Sequence, residues 1–201
     1  MLRVGLTGGL ATGKSFVGRA LADLGCHLLQ ADELGHAALE PGGGAYQGAV
    51  EVFGRGILDP EGRIDRRRLG LRVFASPEDL ARLNALVHPV VIAQQQTWFE
   101  ELERRDPRAI GVVEAAILIE TGSYRRFSKL ILTVCEPDQQ IERAMKRDGL
   151  SREEVLRRLD RQMPLTEKRH YADYVIDTSG DKADTLDQVA RLYAMLRSLE
   201  P

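Results

Sequence analysis

Apolar runs and helical periodicities alternate along this chain. LRVGLT, Leu2 to Thr7, is a short run of the kind that forms a strand buried on both faces. Phe16, Val17, Ala20, Leu21 and Leu24 then recur at helical spacing until Gly25, which ends the helix. CHLLQAD predicts a second strand ending at Asp32, and ELGHAAL a short helix after it. AIGVVEAAILIE supplies a third strand with Glu114 at its end, KLILTVC (Lys129 to Cys135) a fourth and DYVID (Asp173 to Asp177) a fifth. A closing helix runs from Thr185 to Leu199. Strands separated by helices predict an α/β fold, a five-stranded parallel sheet with helices on both faces.

Two stretches depart from this alternation. Residues 36–105 read as mostly helical, interrupted by PGGG (Pro41 to Gly44) and by the turn-rich GRGILDPEGRID (Gly54 to Asp65). Ser76 with Pro77 and Asp79 starts one helix; after a break at His88-Pro89, a second long one follows. This reads as an insertion between strands of a single domain, 1–201. Its cluster Arg63, Arg66, Arg67, Arg68 and Arg72 is either a contact for an anionic acceptor or a solvated helix face. His88 reads as a cap or a packed side chain. The second stretch, 138–165, places Arg143 and Arg147 four apart on one helix, broken by Gly149, before Ser151 and Glu154 form a capping box. It reads as a hinged helical lid. Its arginines either close over a triphosphate or pair with Glu142 and Asp148.

Composition narrows the class but names no partner. Over 201 residues, 43% are hydrophobic and 29% charged, with a net charge of -2, the balance of a soluble globular protein and not of a nucleic-acid-coating one. Cys26 and Cys135 are far apart and form no CxxC pair, so neither a zinc site nor a disulfide framework is signalled and a reducing cytoplasm fits best. No window approaches eighteen uninterrupted apolar residues, so no membrane span is expected.

The chemistry is concentrated between the first strand and the first helix. There Gly8, Gly13, Lys14 and Ser15 in GLTGGLATGKSF satisfy G-x-x-x-x-G-K-[ST], the phosphate-binding loop. Glycines let successive N–H groups turn inward, and the helix beginning near Lys14 adds its positive end to the same concavity. Lys14 can reach the β- and γ-phosphates of a nucleoside triphosphate, and the Ser15 hydroxyl can ligate Mg²⁺. The alternative is a glycine-rich turn with a solvated lysine. Asp32 is an N-cap, a proton acceptor for an incoming hydroxyl, or both. Glu114 is either an acid that reaches magnesium through water or one half of a structural ion pair.

Beyond the loop, the chain resembles the dephospho-CoA kinase family nearly end to end. The resemblance is carried by GLTGGLATGKS, LLQADELGHAALEPGG, FGRGILDPEGRIDRRRLGLRVF, LNALVHPVV, QQIERAMKRDGLS, RRLDRQMP and ADYVID, in that order. It implies a P-loop kinase that transfers the ATP γ-phosphoryl group to the ribose 3′-hydroxyl of dephospho-CoA, with ATP and Mg²⁺ required and no partner beyond the small-molecule substrates. A monomer or weak homo-oligomer is expected. By resemblance Asp32 is the acceptor-activating aspartate, and Lys14 and Arg147 join it as catalytic residues. Gly8, Ala11, Thr12, Gly13, Lys14, Ser15, Phe16, Arg143 and Arg147 would bind ATP. Residues 36–105 would bind the acceptor, with Arg66 and His88 in its motifs. Ala11 stands where the family usually has glycine, Phe16 where threonine is usual, EAAILIE in place of a proline-containing segment, and Thr178 where an asparagine is often found near the adenine. Two rival readings are a related kinase for a nucleotide, gluconate or shikimate, and a GTP-dependent switch. For the switch, the nearest approach to N/T-K-x-D is DKAD, Asp181 to Asp184.

Overall fold

Every strand of the sheet runs the same way, so each must be joined to the next by a crossover over one of its faces. The computed structural model describes residues 1–199. Strands β1 (Leu2–Gly8), β2 (His27–Gln30), β3 (Ile110–Glu114), β4 (Lys129–Val134) and β5 (Tyr174–Asp177) lie in the order β2-β3-β1-β4-β5, all parallel. The middle strands β3, β1 and β4 are buried almost throughout, which explains their continuous apolar runs. With β3 on one side of β1 and β4 on the other, the connections diverge beside β1, and ligands of open α/β sheets bind at such a point.

The chain divides into two compact units, residues 1–30 with 101–201, and residues 31–100. In the first, α1 (Lys14–Asp23) and α9 (Lys182–Ser198) bury Val17, Leu21, Val189, Leu192 and Leu196 against Val4, Leu6, Val112 and Ile131 of the sheet. Helix α1 stops where Gly25 takes φ 110°. Asp181 caps α9 by accepting the Asp184 N–H, which gives DKAD a structural use. Helix α6 (Pro137–Asp148) ends at Gly149 with φ 66°, and α7 (Arg152–Leu159) opens with the expected capping box between Ser151 and Glu154. The short α8 (Leu165–Lys168) leads to β5. Both cysteines are buried; burial raises the Cys135 pKa.

The second unit holds α2 (Ala31–Ala38), α3 (Tyr46–Phe53), α4 (Arg66–Ala75) and most of α5 (Pro77–Arg105). Ala49, Phe53, Ile57, Leu69 and Val73 form its core. The arginine cluster is largely partnered within it. Arg63 pairs with Asp59 at 3.1 Å, Arg66 with Glu40 at 3.3 Å and Arg68 with Asp65 at 3.2 Å. Arg72 donates to the Phe53 carbonyl at 2.8 Å and lies over its ring.

Two boundaries differ from expectation. Strand β2 ends at Gln30 and α2 begins at Ala31, so Asp32 sits in the first turn of a helix and not at the tip of a strand. Asp32 and Glu33 together suit that turn, where carboxylates face the positive end of the helix. Helix α5 also runs unbroken through His88-Pro89. Proline removes the N–H that would serve Ala85 four residues back, but a single lost bond does not divide a helix anchored on both sides.

Candidate active site

Strand β1 delivers the chain to Gly8 beside β4, where Gly8 lies opposite Thr133. A Cβ at Gly8 would collide with Thr133 and with the Thr12 hydroxyl, so only glycine passes here. The loop then closes on itself. The Thr12 hydroxyl, fully buried, donates to the Gly9 carbonyl at 3.0 Å and lies 2.8 Å from the Thr133 hydroxyl. Gly13 takes φ 80° before α1, and Lys14 folds back to donate to the Gly9 carbonyl at 2.9 Å. Ala11 takes φ 56°, the one non-glycine with positive φ among the described residues. Glycine normally occupies such a position, and the resemblance marked this position as usually glycine. Phe16, the second departure, has the Lys182 ammonium 5.9 Å from its ring centroid.

Opposite the loop stands Glu114, the last residue of β3. The Ser15 hydroxyl donates to Glu114 Oε1 at 2.6 Å, while Oε2 is buried without a hydrogen-bond partner. A carboxylate left half satisfied beside a phosphate loop marks a place where charge is to be balanced. The pair fits a hard divalent cation, which takes oxygen ligands and draws the rest of its shell from water and phosphate. Among the described residues no group of three or more His, Cys, Asp or Glu is placed to hold a metal ion.

The lid arginines behave differently from each other. Arg143 donates to the Thr178 hydroxyl at 3.0 Å and to the Thr178 carbonyl at 2.8 Å. Thr178 in turn lies within 3.2 Å of the Thr12 carbonyl and packs against Gly13, so Arg143 is joined to the loop through it. Arg147 is exposed and forms a two-pronged pair with Asp148, at 2.7 and 3.0 Å. That pair holds the Asp148 carboxyl below, and the Arg147 guanidinium above, their ordinary pKa values.

The residues expected to meet the acceptor lie in the second unit. Asp32 is exposed on α2, Arg66 is engaged by Glu40 and His88 sits in the middle of α5. Burial lowers the His88 pKa from its ordinary value.

Three side chains not predicted as site residues also support the loop, two of them inside segments that carry the resemblance. Gln140 Nε2 donates to the Leu10 carbonyl at 2.8 Å, and Gln162 Oε1 accepts from the Leu10 N–H at 3.0 Å. Lys168, with no exposed surface, donates to Glu120 at 2.7 Å and to the Ala116 carbonyl at 3.1 Å, with the Gly8 carbonyl 3.5 Å away. A lysine inside TEKRHY gives no warning of burial, and a glutamine in the polar helix α6 or in the turn after α7 gives none of which peptide group it meets.

Residues 2–184 match the family model described as dephospho-CoA kinase. The chain belongs to that family. An Aquifex aeolicus dephospho-CoA kinase is 39% identical over 196 residues, covering 98% of each chain. Among solved structures, a Thermus thermophilus protein superposes with a TM-score of 0.83 at 34% identity, covering 100% of this chain and 98% of its own. The Campylobacter jejuni dephospho-CoA kinase gives a TM-score of 0.73 at 26% identity, covering 98% and 97%. As a member of the family the chain is an ATP-dependent kinase of coenzyme A biosynthesis, and a divalent metal accompanies the nucleotide in kinases of this kind. Among the described residues no helix is long and apolar enough to cross a membrane.

Proposed function

We propose that this chain performs the last step of coenzyme A synthesis as follows. ATP binds through Gly8 to Phe16, the 3′-hydroxyl of dephospho-CoA ribose approaches in line, and Asp32 orients that hydroxyl and takes its proton. An oxygen–phosphorus bond forms to the γ-phosphorus as its bond to the β–γ bridging oxygen breaks, and ADP leaves. The observation that carries this reading is the loop Gly8–Ser15, already folded as a phosphate cradle within a chain matching the family from residue 2 to 184.

Each remaining residue has a part. Lys14 exchanges its bond to the Gly9 carbonyl for a phosphate oxygen. Ser15 and Glu114 would hold Mg²⁺, Glu114 through water, and the ion neutralises charge on the β- and γ-phosphates when bound. Arg147 turns from Asp148 to the transferring phosphoryl group; an exposed ion pair is worth at most about 1 kcal/mol, so its release is easy. Arg143 serves ATP through Thr178 and the loop, not by direct contact. Arg66 and His88 receive the acceptor. The compartment is the cytoplasm, in keeping with two buried cysteines that form no disulfide.

The test is Asp32→Asn. Turnover falls by roughly two or more powers of ten, as for loss of a general base, while ATP affinity is retained. Near-normal turnover in a coupled ADP-release assay would refute the assignment.

A further inference from the structure

The loop departs from a self-contained phosphate cradle at its apex. Leu10 is gripped on both sides of its residue, its N–H by Gln162 and its carbonyl by Gln140. Gly9 makes room for this, since a Cβ there would come within 2.5 Å of Gln140 Nε2. Leu10 and Ala11 also pack against Ile141, Ala144 and Val155, the small core shared by α6 and α7. Next to the gripped residue is Ala11, in the left-handed region at φ 56°.

These features have opposite energetic signs. A left-handed backbone lowers the population of a residue bearing a Cβ by about five- to thirtyfold. A typical intramolecular hydrogen bond favours the state that contains it by about two- to thirteenfold. Two such bonds on Leu10, together with apolar packing of both apex residues, are enough to offset the penalty. Gln140 is only 6% exposed, so water competes weakly for its bond.

We propose that Gln140 and Gln162 are positioning residues for the transfer reaction: from α6 and from the turn after α7 they hold Leu10 so that Ala11 keeps the left-handed turn on which the phosphate-binding shape of the loop depends. The inference rests on the reading of Gly8 to Ser15 as the ATP site. It adds that this alanine-bearing loop is shaped from outside, where a glycine at position 11 would hold the turn unaided. Glutamines that merely satisfied two peptide groups would contribute to stability alike whichever residue stood at 11.

The experiment is a cycle on the full-length protein. Gln162→Met and Gln140→Met are each made with Ala11 and with Ala11→Gly, and Lys14→Met serves as reference. The dissociation constant of ATP is measured by calorimetry, KM for both substrates kinetically, and thermal stability in parallel. With Ala11 present, Gln162→Met weakens ATP binding about fivefold to tenfold, the scale of one lost hydrogen bond, and leaves KM for dephospho-CoA unchanged. With Ala11→Gly the same substitution weakens it less than twofold. Equal losses in the two backgrounds, or no loss in either, overturn the proposal. Should Lys14→Met bind ATP normally, the ATP-site reading itself fails; should only the glutamine variants bind normally, the positioning role alone fails. If Gln140→Met does not fold, amide exchange decides: Leu10 exchanges at least tenfold faster in Gln162→Met than in the unsubstituted protein, and equal rates overturn the proposal.

Discussion

Replacing Lys168 by methionine removes a cation from a place with no solvent exposure while keeping an unbranched side chain of similar length. Breaking a buried ion pair from one side costs about 3–5 kcal/mol, because the partner is left charged and alone. Here Glu120 remains 21% exposed and can recover part of its hydration, which brings the expected loss to about 2–3 kcal/mol even after the Ala116 carbonyl loses its donor. At about 2–4 °C per kcal/mol for a chain of this size, the melting temperature falls by about 4–12 °C. Urea unfolding followed by circular dichroism measures the loss directly. The double variant Lys168→Met with Glu120→Met separates pairing from packing. Removing both charges restores most of the stability, short of about 1 kcal/mol for the Met163 N–H that Glu120 also accepts at 3.3 Å. A single variant within about 0.5 kcal/mol of the parent, below the usual effect of a disruptive core change, would refute the reasoning. So would a double variant no more stable than the single.

Gly8→Ala drives a methyl group into Thr133 and Thr12, and calorimetry should register at least about a tenfold loss of ATP affinity with about 1–3 kcal/mol of destabilisation; unchanged binding would mean the loop relaxes freely. Ser151→Ala removes the acceptor for the Glu154 N–H and lowers stability by about 1 kcal/mol in denaturant titration, with no change if α7 needs no cap. His88 has a folded pKa below its ordinary 6.5, so the unfolded chain binds the proton more readily. Its contribution is therefore fully present above that pH and is lost as pH falls toward the folded pKa. His88→Gln should flatten the decline of the urea midpoint on acidification below 6.5, and an unaltered slope would exclude His88 as its source.

Much of this architecture is written locally. The phosphate loop is legible because Gly8, Gly13, Lys14 and Ser15 each meet a demand of short range. Gly149 and the Ser151–Glu154 box are legible for the same reason. What is hidden depends on partners distant in the chain. Pro89 reads as a break because proline disfavours helix locally, yet α5 continues through it. Asp32 reads as the end of a strand because the apolar run reaches it, yet the chain turns helical one residue earlier. Arg143 advertises a phosphate contact, but Thr178, thirty-five residues on, engages it. Gln140, Gln162 and Lys168 have polar neighbours in sequence, and only folding brings Leu10, Gly8 and Glu120 to them.

The two cysteines both lie in the first unit, and the sole tryptophan, Trp98 on α5 beside Phe99, lies in the second. The molecule thus carries its own pair of reporters. A thiol reagent colours only as the sheet opens, whereas indole fluorescence follows the helical insertion. Comparing the two clocks in one denaturant series reveals, with no label added, whether catalytic framework and insertion come apart in a single event or in succession.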